Sequence, residues 1–283
     1  MAKNSRLAAL LVLVFTLCGC HAQPTVQQGA AIEAPYTASA KTHEPFEVDS
    51  TFKTIHIFVA LCDNRYQGIV PVPPKIGNGQ DPNNNLYWGC GYGIRTYFKN
   101  SKEWKLVGSR KSDSLILERV IFKHIQNKYY LIADAYDGKF IQTCTQDFLS
   151  SSCGQLKDTL MVNNTIIGTK GHASLLAYIG HDGLMDFVLN EEYINQDQRS
   201  RDVIILACYS KRYFAPHLQK AQVNPLVWTT GLMAPEAYTV HNAITGYVNG
   251  ESHNSIRTRA ALAYSKYQKC SEKAAQNLLV TGW

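Results

Sequence analysis

The strongest constraint in this sequence is a pair of apolar runs, residues 175–183 (LLAYIGHDG) and 202–210 (DVIILACYS). Each has strand length and is almost free of polar residues until its end, the pattern of a parallel strand covered on both faces by helices. Each then closes on reactive chemistry. The first ends in His181, Asp182 and Gly183; the second ends in Cys208, Tyr209 and Ser210. The polar stretch between them exceeds the roughly 10–12 residues that a crossover between parallel strands requires. The two runs are therefore expected side by side, about 4.8 Å apart. Imidazole and thiol then share the carboxyl edge of the sheet, where open α/β sheets bind ligands.

The rest of the body alternates in the same sense. Strands are expected over 54–62 (TIHIFVALC), 104–108, 115–125, 129–135 (YYLIADA) and 225–232. Helices are expected in the second half of 88–99, over 139–149, from Pro216 to about 223, from Ala234-Pro235-Glu236 onward, and over 255–279. Residues 68–85 concentrate Pro71, Pro73, Pro74 and Pro82 with Gly68, Gly77 and Gly79, so they read as a long irregular connection. This alternation predicts an α/β fold, a three-layer, mainly parallel sheet with helices on both faces. Four strand ends then meet at one edge: Asp63, Asp134 with Asp137, His181, and Cys208.

A thiol attacks as thiolate, and a neighbouring imidazole both favours that form and supplies a proton to the leaving group. His181 and Cys208 meet that requirement. Gly183 leaves its N–H unobstructed, so with the Cys208 N–H it is a candidate oxyanion holder. Asp134 or Asp137 is the candidate acid to orient the imidazole. The competing reading is packing: free cysteine is among the most buried residue types, and His181 reads equally as a turn residue. His56 and His124 show no ligand spacing and read as core or surface residues. Trp228, Tyr238 and Tyr247 read as packing.

At AYIGHDG and IILAC the chain resembles the caspase-like (clan CD) cysteine peptidases, whose signature is an apolar strand ending in His-Gly followed by one ending in Ala-Cys. The resemblance spans about residues 54–232. It implies a caspase-haemoglobinase fold, a catalytic His181–Cys208 dyad, a peptide or protein substrate cleaved after a selected side chain, and no cofactor. It also implies a specificity-pocket role for Asp63, which follows the first strand; an acid there favours Arg or Lys, although Asp63 alone reads as the start of a turn. One departure stands out. Asp182 intervenes between His181 and Gly183, which displaces the oxyanion donor or adds a carboxylate to the pocket.

The N-terminus has its own pattern. Lys3 and Arg6 precede an apolar stretch, residues 7–17, too short to span a bilayer comfortably, and Cys18-Gly19-Cys20 closes it. This ending resembles a bacterial lipobox and implies lipidation of Cys20. The expected organisation is a signal peptide over 1–19, a flexible tether rich in Gln, Ala, Thr and Pro over 20–50, and an α/β domain over 51–283. Such a protein would be anchored at the bacterial cell envelope, facing the periplasm or the cell surface, and would meet the membrane through its N-terminal lipid.

Of eight cysteines, six remain beyond Cys18 and Cys20. Cys144 and Cys153 flank one short segment and are a candidate local disulfide for an exported chain. Neither paired CxxC motifs nor HExxH occurs, so no metal site is expected. The formal charge of +6 falls to about +4 without Lys3 and Arg6, too mild and dispersed to imply nucleic acid. Two functions other than proteolysis fit the same residues. One is a non-catalytic lipoprotein that binds peptide or glycan through 68–85 and the pair Tyr87-Trp88; the other is thiol-dependent amide hydrolysis or acyl transfer on cell-wall peptide.

Overall fold

The computed structural model describes residues 47–112 and 114–283. The expected signal peptide, Cys20 and most of the tether lie outside the described residues. In chain order the elements are β1 (Lys53–Ala60), α1 (Ile94–Lys99), β2 (Trp104–Lys111), β3 (Ile116–His124), β4 (Tyr129–Tyr136), α2 (Ile141–Ser152), β5 (Lys157–Val162) and β6 (Thr165–Lys170). They continue as β7 (Leu175–Ile179), β8 (Asp202–Leu206), α3 (Ser210–Leu218), β9 (Asn224–Thr229), α4 (Ala237–Val248), α5 (His253–Gln268), α6 (Glu272–Leu278) and β10 (Leu279–Val280).

Eight strands form one sheet in the order β10-β9-β8-β7-β1-β4-β3-β2. The five from β9 to β4 run parallel, β10 pairs antiparallel with β9, and β2, β3 and β4 form an antiparallel meander. The apolar runs behave as their composition requires. β1 is buried at every residue after Lys53, and β7 throughout.

Alternate residues of these strands feed opposite layers. Ile55, Ile57 and Val59 pack with Tyr238 and Ile244 of α4 and Ile256 and Ala260 of α5. Phe58 and Ala60 pack with Phe148 and Leu149 of α2 and Phe214 and Leu218 of α3. The result is the expected three-layer α/β arrangement, with apolar side chains on both faces of the central strands.

Several expectations are corrected. The β5–β6 hairpin was not anticipated: its connection is Asn163-Asn164, both with left-handed backbone (φ 48° and 62°), the geometry of a tight primed turn. Val162 and Ile167 of the hairpin cover Tyr130 and Ile132 of β4. Helix α3 begins at Ser210 rather than at Pro216, which lies inside it. The helix expected over 255–279 is broken into α5 and α6 where Lys269 turns left-handed. The expected tether overlaps the domain, because the Asp49 N–H donates to Ile166 O of β6 at 2.8 Å.

The Cys144–Cys153 disulfide is also corrected: both thiols are free and buried. One sits within α2 and the other at its C-cap. Nine residues of helical rise separate their backbones by about 13 Å, well beyond the roughly 7 Å limit for a disulfide. Among the described residues no helix is long and apolar enough to cross a membrane.

Candidate functional site

The carboxyl ends of β1, β4, β7 and β8 emerge at one edge, and the chain treats them in two ways. The ends of β1 and β4 are sealed by the irregular stretch that follows β1. Asn85, fully buried, accepts from the Cys62 and Tyr87 N–H groups and donates to Cys62 O and Asn78 O. Gln67 donates to Leu61 O and Gly138 O, and Gln80 bridges Asp63 and Asp137 through its Nε2. Asp63 is 1% exposed, and its Oδ1 accepts the Arg65 and Tyr66 N–H groups. Both its oxygens therefore serve its own loop, as the turn reading expects, and neither is presented to a substrate. Tyr87 and Trp88 are not an exposed aromatic surface either. Tyr87 is 8% exposed, and Trp88 is fully buried with its indole N–H donated to Glu118.

The ends of β7 and β8 carry the reactive groups. These strands pair in parallel register with Ile179 opposite Leu206, and the Gly180 N–H extends the ladder to Leu206 O. The pairing ends there; His181 lies two residues beyond the end of β7 and Cys208 two beyond the end of β8. Gly180 is required where it is: its φ of 148° is open only to glycine, and a Cβ there would lie 2.7 Å from Ala60 O.

His181 is buried, and its Nε2 lies 2.7 Å from Asp186 Oδ2. A single 3-10 turn over Gly183–Met185 brings Asp186 back beneath the imidazole. The same Asp186 oxygen accepts the Gly68 N–H, and the Tyr178 hydroxyl donates to His181 O at 2.8 Å. A carboxylate only accepts, so the shared proton belongs to Nε2 and Nδ1 of the neutral ring keeps its lone pair. The acid bonded to His181 is thus Asp186.

The two acids expected there are engaged elsewhere. Asp134 is fully buried between His56 Nε2 (3.0 Å) and the Arg119 fork (2.6 and 2.7 Å). Burial alone would raise its pKa, but His56 and Arg119 hold it well below the ordinary carboxylate range. His56 Nδ1 accepts the Lys170 N–H, so this histidine is a satisfied core residue. Asp137 caps the turn that leads into α2 and shares Gln80 with Asp63.

Cys208 sits in a turn held from below. The Ser210 hydroxyl donates to Ile205 O, Thr229 Oγ1 donates to Ala207 O, and the Ser210 N–H and Thr229 N–H each bond to the other's hydroxyl. Tyr209 adopts a left-handed conformation (φ 51°) between Cys208 and the start of α3. The thiol is free and half-buried; its sulfur contacts Met233 O at 3.6 Å and accepts the Met233 N–H at 3.4 Å. No hydrogen bond joins it to His181 among the described residues. Burial pushes the Cys208 pKa up and Asp182 adds to the rise, while the Met233 N–H works against both.

The Gly183 and Cys208 N–H groups donate to no acceptor among the described residues, but Gly183 is buried, and a Cβ there would lie 2.6 Å from the Phe187 ring, so its surroundings are not the unobstructed ones the sequence led us to expect. Asp182 is fully buried, with Oδ1 accepting the Leu184 N–H and Oδ2 without a partner among the described residues. No group of three or more His, Cys, Asp or Glu side chains converges as metal ligands would among the described residues.

Sequence reasoning brought His181, Cys208 and Gly183 to one edge and missed Asp186, Met233, Ser210 and Thr229. The only signal for Asp186 was its place in HDGLMD, five residues after His181, a spacing that neither a helix nor a strand brings together. The class this geometry defines is an α/β protein whose large, mainly parallel sheet presents a His–Asp pair and a free thiol at neighbouring strand ends. Against models of protein families, curated proteins and solved structures, the chain has no match.

Proposed function

We propose that the protein is a cysteine hydrolase of caspase-like type that cleaves peptide substrates, with Cys208 as nucleophile, His181 as general base and Asp186 as the acid that orients it. The observation that supports this reading is that His181 and Cys208 each follow by two residues the end of one of two neighbouring parallel strands, while Asp186 accepts from the imidazole Nε2. In the reaction the Cys208 proton passes to Nδ1 and the sulfur bonds to the substrate carbonyl carbon. In this reading the oxyanion is received by the Cys208 N–H, with the Gly183 N–H as its second donor once the Phe187 ring gives way. His181 then returns the proton to the leaving amine as the C–N bond breaks, and water releases the acyl group from the thioester by the same base. In this reading the fold is caspase-haemoglobinase-like, and the chain is exported and held at the bacterial envelope through a lipid on Cys20.

A thiol-reactive peptide probe tests it. Wild type labels at Cys208, identified by peptide mass spectrometry, and Cys208→Ala abolishes the labelling; labelling that survives the substitution unchanged removes the reading.

The raised pKa of Cys208 favours a second reading. An activated thiol is normally shifted down, so a fold that retains the site without turnover, binding peptide or glycan at the envelope, fits this observation. It predicts that wild type and Cys208→Ala both remain unlabelled while ligand binding persists in each.

A further inference from the structure

Large apolar side chains are left in water on the segments that surround the reactive strand ends. Five of the eleven that are exposed among the described residues, Tyr66, Val70, Met185, Val188 and Leu232, sit on the stretches that follow β1, β7 and β9. Val70 is 88% exposed, Val188 81% and Leu232 68%, so these side chains are no part of the core. A single exposed apolar residue is ordinary on a protein surface, whereas several on adjoining segments mark an interaction site.

Hydrogen bonds tie all three segments to the reactive groups. Tyr66 and Val70 each stand two residues from Gly68, whose N–H donates to Asp186 Oδ2 at 2.9 Å. Met185 precedes Asp186 and Val188 follows it by two residues, and the same Asp186 oxygen bonds His181 Nε2 at 2.7 Å. Leu232 precedes Met233, whose N–H donates to the Cys208 sulfur at 3.4 Å. The exposed apolar residues therefore belong to the segments that hold His181 and Cys208 in place.

The charged groups at this edge agree with an apolar ligand. A pocket for Lys or Arg needs a carboxylate that is presented to it. Asp63 and Asp137 are bonded to Gln80, Asp186 to His181 and Gly68, and Glu236 accepts from the Tyr238 hydroxyl and Gln268. The cations of the same segments, Arg65, Lys211 and Arg212, lie over the rings of Tyr66, Trp228 and Tyr213.

We infer that the site takes peptides whose side chains beside the scissile bond are large and apolar, and that Val70, Val188 and Leu232 select them. The inference rests on the hydrolase reading and names its substrate class. It differs from the preference for Arg or Lys that an acid following the first strand would give.

Three peptidyl acyloxymethyl ketones that differ only in the residue next to the reactive group, Leu, Lys or Asp, test it on the full chain. The labelling rate is read at the Cys208 peptide by mass spectrometry. The Leu probe is expected to label about tenfold faster than either charged probe, the preference that one well-received apolar side chain supports. A Lys or Asp probe that matches or exceeds it overturns the inference and leaves the hydrolase reading standing. Val188→Ser and Leu232→Ser remove apolar surface without touching the core, so the unfolding midpoint should hold while the ratio of Leu to Lys labelling falls by about threefold or more. A ratio that keeps its wild-type value in both variants overturns the inference as well. If none of the three probes labels Cys208, the hydrolase reading falls, and this inference with it.

Discussion

Asp186 owes its position to a single 3-10 turn that returns the chain beneath His181, and its side chain is the more open of the pair, 33% exposed against 6%. Its effect on the imidazole is directional rather than a gain in stability, because a hydrogen bond to a carboxylate that is one-third exposed contributes little. Asp186→Asn is therefore expected to leave the unfolding midpoint nearly unchanged. It should slow peptide-probe labelling at Cys208 by about tenfold or more, since the amide can donate to Nε2 and draw the proton to Nδ1. Labelling kinetics at fixed pH check this, and an unaltered rate would remove Asp186 from the site. The contrast with Asp134 is instructive at the same scale. Asp134 lies at the same sheet edge in sequence terms, but two cationic or proton-donating partners, His56 and Arg119, consume it inside the fold. A list of strand-end acids does not distinguish the two; the side-chain partners do.

The turn from β8 into α3 is the element on which Cys208 depends. Tyr209 has no side chain that caps a helix and is left-handed, and the Ser210 hydroxyl turns back to Ile205 O and Thr229 instead of capping α3. This is why the helix start was placed too late: the usual Ser, Thr, Asp or Asn capping pattern is absent, and Pro216 supplied the only start signal. Thr229→Val keeps the shape of the side chain but leaves Ala207 O and the Ser210 N–H without their partner. The expected cost is about 1–3 kcal/mol for buried polar groups left unsatisfied. Chemical denaturation measures it, and the Cys208 alkylation rate should change in the same variant because the turn is no longer fixed. The hairpin β5–β6 escaped notice for a related reason. Its strands are half-exposed, and the Asn-Asn turn takes its meaning only from the pairing of the strands around it.

At the scale of the whole molecule, cohesion comes from two apolar layers on a sheet eight strands wide, without covalent ties among the described residues. Cys62, Cys144 and Cys153 are buried and free, while Cys90, Cys208 and Cys270 are half-buried and free. The thermal midpoint is accordingly expected to be the same with and without reductant, and a midpoint that falls by several degrees on reduction would contradict the free-thiol arrangement. The central strands were legible because burial on both faces demands continuous apolar runs, and α4 was legible because Ala-Pro-Glu marks a helix start. The parallel direction of β7 and β8 followed from the length of chain between them. With those strands came the arrival of His181 and Cys208 at one edge, so the sequence by itself determined the layers, the central strands and the two neighbouring strand ends that carry these residues. Only the tertiary structure decided which carboxylate serves His181, which serves the core, and which is buried without a full set of partners. Those choices depend on side chains five to nearly eighty residues apart meeting in three dimensions, and local pattern carries no record of such meetings.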